Sequence, residues 1–304
     1  MRCPRLSRRF VLALCLGLPL LWAAVSAVAA WRFARRAQPV VPEPAPPLAA
    51  TPIEELRLRT EDGLELGAWL AGDPDAPLAV VLLHANAGSR SARFPEMLWL
   101  LRRGFLVLAP SLRAHGDSGG DWNDWGWSAR LDVLAATAEL ERRRPGRRLL
   151  LAGESLGGVA AIFAAAELGP RAAGYWLEAP YLDLNTAVRN RTSIYLPPVL
   201  DRVAYAGLSL WARPFLGVDP DLVSPLERIG DIPASLPVRL LSGTEDDRAP
   251  LADVRRLAER AGPHAKVVEF PGAVHESLFH RDRARFEEAF DAFTAQCTVA
   301  QGMR

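Results

Sequence analysis

Lysine is almost missing from this chain. Lys266 is the only one, and arginine supplies the rest of the 36 basic residues, which 35 acidic residues balance to a formal net charge of +1. That usage reads as coding bias. The body carries no basic stripe, so nucleic acid is not an expected partner. Cysteine is scarce too. Cys3, Cys15 and Cys297 cannot build a disulfide framework, and two of them sit near the N-terminus. No Cys/His cluster has metal-ligand spacing, so neither a metal nor a cofactor is implied. Internal repeats are also lacking. The 304 residues, 50% of them hydrophobic, suffice for one large α/β domain.

One long apolar run is present, at the N-terminus. Arg2, Arg5, Arg8 and Arg9 precede an uncharged stretch from Phe10 to Trp31, and Arg32, Arg35 and Arg36 close it. A helix needs about twenty apolar residues to cross a bilayer, against roughly 7–15 for the apolar part of a signal peptide. Length therefore favours an uncleaved single-pass membrane anchor over residues 1–37. The alternative is a cleaved, secreted protein, with Ala27-Val28-Ala29 as the cleavage site. The slight arginine excess on the N-terminal side puts that end in the cytoplasm and the body outside. Residues 38–52 contain six prolines and read as an extended, semi-rigid linker. Residues 53–304 form the globular body.

In the body, Glu54–Arg59 and Leu64–Leu70 alternate around Glu61-Asp62-Gly63, as a hairpin does. Leu78–Leu83 is continuously apolar, as expected of a strand buried on both faces of a parallel sheet. Strand patterns at Phe105–Ala109, Leu149–Ala152, Gly174–Leu177, Val238–Leu241 and Val267–Phe270 follow. They alternate with helical patterns at Ala92–Arg103, Ser128–Arg143, Leu156–Leu168, Leu251–Ala261 and Arg283–Ala295. That alternation implies an α/β fold with a mostly parallel, doubly wound sheet. Residues 181–232 depart from it. Prolines break every long period there, and the segment reads as a small cap inserted after the sixth strand.

The chemistry centres on Leu149–Gly158, Leu-Leu-Leu-Ala-Gly-Glu-Ser-Leu-Gly-Gly. A strand, a tight turn bearing G-x-S-x-G and an immediate helix make a nucleophile elbow. The chain must reverse within a few residues to project Ser155 from the strand end, and Gly153 and Gly157 remove the Cβ atoms that would collide. The cap would lie over Ser155. A serine hydroxyl needs a general base, and the base needs an orienting acid. His275 follows the last strand in Phe270-Pro271-Gly272-Ala273-Val274-His275, with His280 as a substitute. His84 and His115 read as loop-holding residues and His264 as solvated. The acid lies in Gly243-Thr244-Glu245-Asp246-Asp247, giving the chain order serine, acid, histidine. Trp122, Trp125 and Trp127 lie beside the expected site, either lining an acyl pocket or packing a helix start.

From about Pro52 onward the chain resembles the α/β-hydrolase family of serine hydrolases. The resemblance rests on five segments in order: His84-Ala85-Asn86-Ala87-Gly88, Arg113-Ala114-His115-Gly116-Asp117-Ser118, Gly153-Glu154-Ser155-Leu156-Gly157, Gly243-Thr244-Glu245-Asp246 and Gly272-Ala273-Val274-His275. It implies an α/β-hydrolase fold and places the acid at Asp246, with Asp247 and then Glu178 as alternatives. The oxyanion hole would use the backbone N–H of Leu156 and, by resemblance, of Asn86. Ala85 and Ala114 stand where the family often has glycine, so a positive φ at either would shift the loop. The expected activity is hydrolysis of a carboxylic ester of a small-molecule or lipid-like acyl substrate through Ser155, Asp246 and His275. A thioesterase, a peptidase of the same fold and a non-catalytic tethered binding module are the alternatives.

Overall fold

Leu78–Leu83 lies at the centre of an eight-stranded sheet, and its alternate residues serve two different cores. The computed structural model describes residues 8–48 and 51–299. The strands are β1 (Glu54–Arg59), β2 (Glu65–Ala71), β3 (Leu78–Leu83), β4 (Leu106–Pro110), β5 (Arg148–Glu154), β6 (Ala172–Glu178), β7 (Val238–Gly243) and β8 (Ala265–Phe270), in spatial order β1-β2-β4-β3-β5-β6-β7-β8. β2 pairs antiparallel with β1 and β4, and every other pairing is parallel.

The helices are α1 (Arg8–Phe33), α2 (Phe94–Arg102), α3 (Arg130–Arg143), α4 (Leu156–Phe163), α5 (Ala165–Leu168), α6 (Leu184–Tyr195), α7 (Pro198–Leu216), α8 (Pro225–Arg228), α9 (Leu251–Ala261), α10 (Leu278–Arg281) and α11 (Arg283–Val299). Successive strand side chains point to opposite faces. Ala79, Val81 and Leu83 therefore join Val133 of α3, Ala160 of α4 and Val254 of α9. Leu78, Val80 and Leu82 join Met97 of α2, Phe279 of α10 and Phe290 of α11. This is the doubly wound α/β-hydrolase architecture, with helices on both sides of the sheet.

Residues 181–232 hold a longer helix than their sequence suggests. α7 runs for 19 residues, because its prolines sit at the ends: Pro198 in the first turn and Pro214 in the last. Proline is tolerated at a helix start, and Gly217, with φ 74°, supplies the left-handed cap beyond its end. Asp183 caps α6 by accepting from the Thr186 N–H at 2.8 Å. Proline also explains the start of α2: the helix expected from Ala92 opens as a 3-10 turn over Arg90–Arg93, and Pro95 sits in its first turn.

Among the described residues α1 is the one helix long and apolar enough to cross a membrane. Arg2 and Arg5, which the orientation argument uses, lie outside the described residues. The C-terminal half of α1 packs on α7. Trp22 Nε1 donates to the Val203 carbonyl at 3.0 Å, and a Cβ on Gly207 would come within 2.1 Å of Ser26 Oγ. Small residues permit this close approach of two helices.

The proline-rich stretch is docked along the body and does not hold it at a distance. Arg36 donates to the carbonyls of Gly116 at 3.1 Å, of Gly120 at 2.9 Å and of Ser118. Its N–H adds a bond to the Asp121 carbonyl at 2.9 Å. Arg35 stacks on Trp122, its guanidinium carbon 4.4 Å from the ring centroid. Seven residues beyond Arg36, the Glu43 carboxylate accepts from Ser89, from Ser111 Oγ at 2.6 Å and from Arg90 Nη1 at 3.0 Å. A polyproline stretch leaves its backbone polar groups unpaired internally, so side chains such as these decide where it lies.

Candidate active site

Ser155 stands between β5 and α4 with φ 48° and ψ −107°, a backbone strained for a non-glycine residue. Its N–H donates to the Glu178 carbonyl at 2.7 Å, and its carbonyl accepts from the Val159 N–H at 3.0 Å, which together fix the turn. The glycines are there for space. A Cβ on Gly153 would lie 2.5 Å from the Gly157 carbonyl carbon, and one on Gly157 would lie 2.6 Å from Leu83 Cβ. The second contact presses the elbow against the loop after β3.

Neighbouring parallel strands bring Asp246 and His275 together. Gly243 and Phe270 are paired at the ends of β7 and β8. Beyond them Glu245 N–H donates to the Ala273 carbonyl at 2.9 Å, tying the two loops. His275 Nδ1 then lies 2.8 Å from Asp246 Oδ2. The other carboxylate oxygen accepts from the N–H groups of Arg248 at 2.9 Å and Ala249 at 2.8 Å. The Asp246 carboxylate is fully buried, and an imidazole donating to it from Nδ1 presents Nε2 as a proton acceptor. Of the alternatives, Asp247 and His280 are exposed. Glu178 is buried and engaged elsewhere, and His264 is half-buried at the turn before β8.

The first N–H groups of a helix have no intrahelical acceptor, which leaves that of Leu156 available at the elbow. Asn86 stands two residues beyond His84, whose carbonyl lies against Gly157, and its N–H has no acceptor among the described residues. The Asn86 side chain is held by Asn123 Nδ2 at 2.8 Å and lies 3.2 Å from His115 Nε2. His84 accepts from the Leu112 N–H through Nε2 at 2.9 Å and donates from Nδ1 to the Ala85 carbonyl at 2.8 Å, which makes it a neutral loop brace. Burial, helped by the nearby His115, pushes its pKa down to about 3. Ala114 takes φ 60°, as a glycine would, whereas Ala85 does not; Ala87, two residues further on, has φ 61° instead.

The Arg113–Ser118 motif is scaffolding. Arg113 pairs with Asp132 and, at 2.8 Å, with Asp62. Asp117 holds Arg90 at 2.6 Å. The Ser118 hydroxyl bridges the Ser111 carbonyl and the Gly67 N–H.

Sequence reasoning missed a charged cluster beneath the elbow. Arg93 is fully buried and reaches Glu154 and Glu178 at 2.7 Å each and Glu96 at 3.5 Å. One cation faces three carboxylates. Burial pushes the Glu178 carboxyl up to about 7, with Glu154 and Glu96 adding to the effect and Arg93 opposing it. The cluster joins the ends of β5 and β6 to the start of α2, directly behind Ser155. The one signal in the sequence was an acidic residue at the variable position of G-x-S-x-G and another at the end of β6. Among the described residues no three His, Cys, Asp or Glu side chains lie close enough to hold a metal ion.

Solved structures with this fold include the esterase Pf2001 of Pyrococcus furiosus. It superposes with a TM-score of 0.69 at 23% identity over 84% of this chain and 97% of that one. The esterase RhEst1 of a Rhodococcus species gives 0.57 at 21% identity over 79% and 98%. Both likenesses are of fold. In sequence, an uncharacterized membrane protein of Saccharomyces cerevisiae is 26% identical over 234 residues, 76% of either chain. The uncharacterized protein YqkD of Bacillus subtilis is 27% identical over 76% of this chain and 75% of its own. The profile of the alpha/beta hydrolase family matches residues 80–289, from β3 into the first turns of α11. The chain belongs to the alpha/beta hydrolase family.

Proposed function

We propose that this protein is a membrane-anchored serine hydrolase that cleaves carboxylic esters. The observation that carries the reading is the 2.8 Å pairing of His275 with Asp246 at the sheet edge where β5 presents Ser155. Ser155 Oγ attacks the ester carbonyl while His275 Nε2 takes its proton, and the negative oxygen is received by the N–H groups of Leu156 and Asn86. The proton passes from His275 to the departing alkoxide as the C–O bond breaks. Water, activated by the same imidazole, then releases the acid and restores the serine. Asp246 keeps the imidazole in the required tautomer.

Esterase activity in the solved neighbours agrees with this chemistry, and the yeast relative is named a membrane protein. The anchor is α1, residues 1–37 forming the anchoring segment, 38–52 the linker and 53–304 the catalytic domain, with the body on the extracytoplasmic side. A binding module gains nothing from a strained serine at a strand end or from a buried acid paired with a histidine.

The test is covalent labelling of the full-length protein in detergent by a fluorophosphonate probe. Wild type should label and Ser155→Ala should not. A folded wild type that resists the probe would sink the reading.

A further inference from the structure

One cavity of the molecule is not bounded by the catalytic domain alone. It measures about 680 Å³ and lies between α1 and the cap helices α6 and α7. That volume falls inside the range of roughly 300–1,000 Å³ typical of ligand pockets. Trp22, Val25, Ala29 and Phe33 of α1 form one wall, and Leu184, Val188, Ala204 and Leu208 form the facing one. The α1 wall from Trp22 to Ala34 is about 18 Å long at the rise of an α-helix.

The cavity joins two places that the fold otherwise keeps apart. At one end is Trp125, whose carbonyl accepts from Tyr181 Oη. The next residue, Gly126, packs on Leu156 and Val159, so this end abuts the elbow helix. Arg248 also borders the cavity, and its N–H is one of the two that hold Asp246 Oδ1. At the other end lie Trp22 and Val203, on the membrane helix and on α7.

α7 itself carries a bare apolar face. Val199, Leu200, Val203 and Leu210 are all exposed, alongside exposed Leu18, Leu21, Val25 and Val28 of α1. An apolar face that large on a helix fixed to a membrane span belongs in the bilayer interface, and Asp201, Arg202 and Arg213 hold α7 there rather than across the membrane.

Among the described residues, the only charged ones on the cavity wall are Arg191 and Arg248. Neither has a carboxylate within ion-pair distance among the described residues. Arg248 Nη2 donates to Tyr195 Oη at 2.9 Å, and Arg191 lies over the Trp125 ring. Burial and then the repulsion of Arg248 lower the pKa of Arg191. Half-buried guanidinium groups without an anion are costly, and their planar donor sets suit phosphate or carboxylate.

We infer that this cavity is the acyl-chain site of the enzyme, filled from the bilayer by the chain of an ester lipid whose anionic leaving part meets Arg191 and Arg248. The inference rests on the hydrolase reading above and names its substrate class. The membrane helix is then part of the binding site as well as an anchor. Acyl chains enter sideways between α1 and α7, and the carbonyl reaches Ser155 at the Trp125 end.

The experiment uses the full chain in phosphatidylcholine nanodiscs, with p-nitrophenyl acetate and p-nitrophenyl palmitate as paired substrates. Wild type should prefer the palmitate in kcat/KM by tenfold or more, and Ala204→Trp and Ala29→Trp should each erase that preference. Hexadecyl phosphate should inhibit acetate hydrolysis at least tenfold more strongly than hexadecanol, a gap that Arg191→Gln with Arg248→Gln should close. The inhibitor comparison on wild type stands even where a tryptophan variant does not fold. Acetate hydrolysis with no chain-length preference, or a preference that survives both tryptophans, overturns the acyl site. Equal inhibition by the two amphiphiles overturns the anionic substrate. Loss of both hydrolysis and fluorophosphonate labelling in wild type overturns the hydrolase reading beneath it.

Discussion

Asp246 divides its two carboxylate oxygens between two tasks. Oδ2 meets His275 Nδ1 at 2.8 Å, while Oδ1 is taken by the turn through the N–H groups of Arg248 and Ala249. The carboxylate is thereby held in place independently of the imidazole it orients. Asp246→Asn should keep that turn while offering His275 the wrong partner. In a serine triad this substitution lowers kcat by about 10⁴ with the geometry preserved. Steady-state kinetics on p-nitrophenyl acetate, with a circular dichroism spectrum matching wild type, would check it; a loss under tenfold would remove Asp246 from the mechanism.

The elbow has no room for one more carbon. Gly157→Ala places a Cβ 2.6 Å from Leu83 Cβ, at the end of β3, and 2.8 Å from the His84 carbonyl oxygen, at the start of the loop that carries Asn86. Overpacking of this kind costs about 3 kcal/mol, and here it would also displace the proposed oxyanion donor Asn86. The melting temperature and the labelling rate should fall together.

Ala114 shows the opposite case. Its φ of 60° strains any residue with a side chain. Ala114→Gly should stabilise the protein by about 0.5–1 kcal/mol, the relieved strain less the extra freedom of the unfolded chain. Thermal unfolding in detergent measures the sign, and a destabilised variant would refute the strain.

Glu178 should make stability fall with rising pH. Its carboxyl is pushed up from 4.5 to about 7 in the folded protein, so the folded state holds the proton more tightly. That contribution is complete below about 4.5 and is lost as the pH rises through 7. Glu178→Gln mimics the protonated acid and should flatten the stability profile across this window. Identical profiles for the two proteins would contradict the shift.

Glu43 works in the other direction. Burial raises its pKa, but hydrogen bonds from Ser111, Ser89 and Ser91 and the charge of Arg90 outweigh this, leaving a net lowering. A depressed carboxylate contributes above its ordinary value of about 4.3 and loses that contribution as pH falls through the folded value. The docked linker should therefore resist proteases at neutral pH and open only as the pH falls below the ordinary glutamate value. Glu43→Gln should be cut within residues 38–48 already at neutral pH.

Much of the site was readable because each part is enforced locally. Gly153 and Gly157 are demanded by the reversal at Ser155, and the loops bearing Asp246 and His275 directly follow strands whose apolar runs mark them. Asp246 could be separated from Asp247 only by resemblance, since what distinguishes them is burial, a property of the folded turn. The Arg93 cluster was illegible for a related reason: its members come from a 3-10 turn, α2, β5 and β6, and no spacing connects them. α7 was hidden by prolines that mark its ends, a reading that Pro198 and Gly217 allow once position within the helix is considered. The docking of Arg36 depends on carbonyls of Gly116, Ser118 and Gly120 that converge only after folding.

With α1 as the proposed anchor, the bond from Trp22 to the cap would keep the catalytic body from tumbling free of the membrane. The proposed reaction would then be two-dimensional. The quantity governing its rate would be the mole fraction of ester among neighbouring lipids, and bulk concentration would matter only through the amount that partitions. Adding inert lipid at constant total ester would slow such an enzyme by surface dilution, just as adding water slows one in solution.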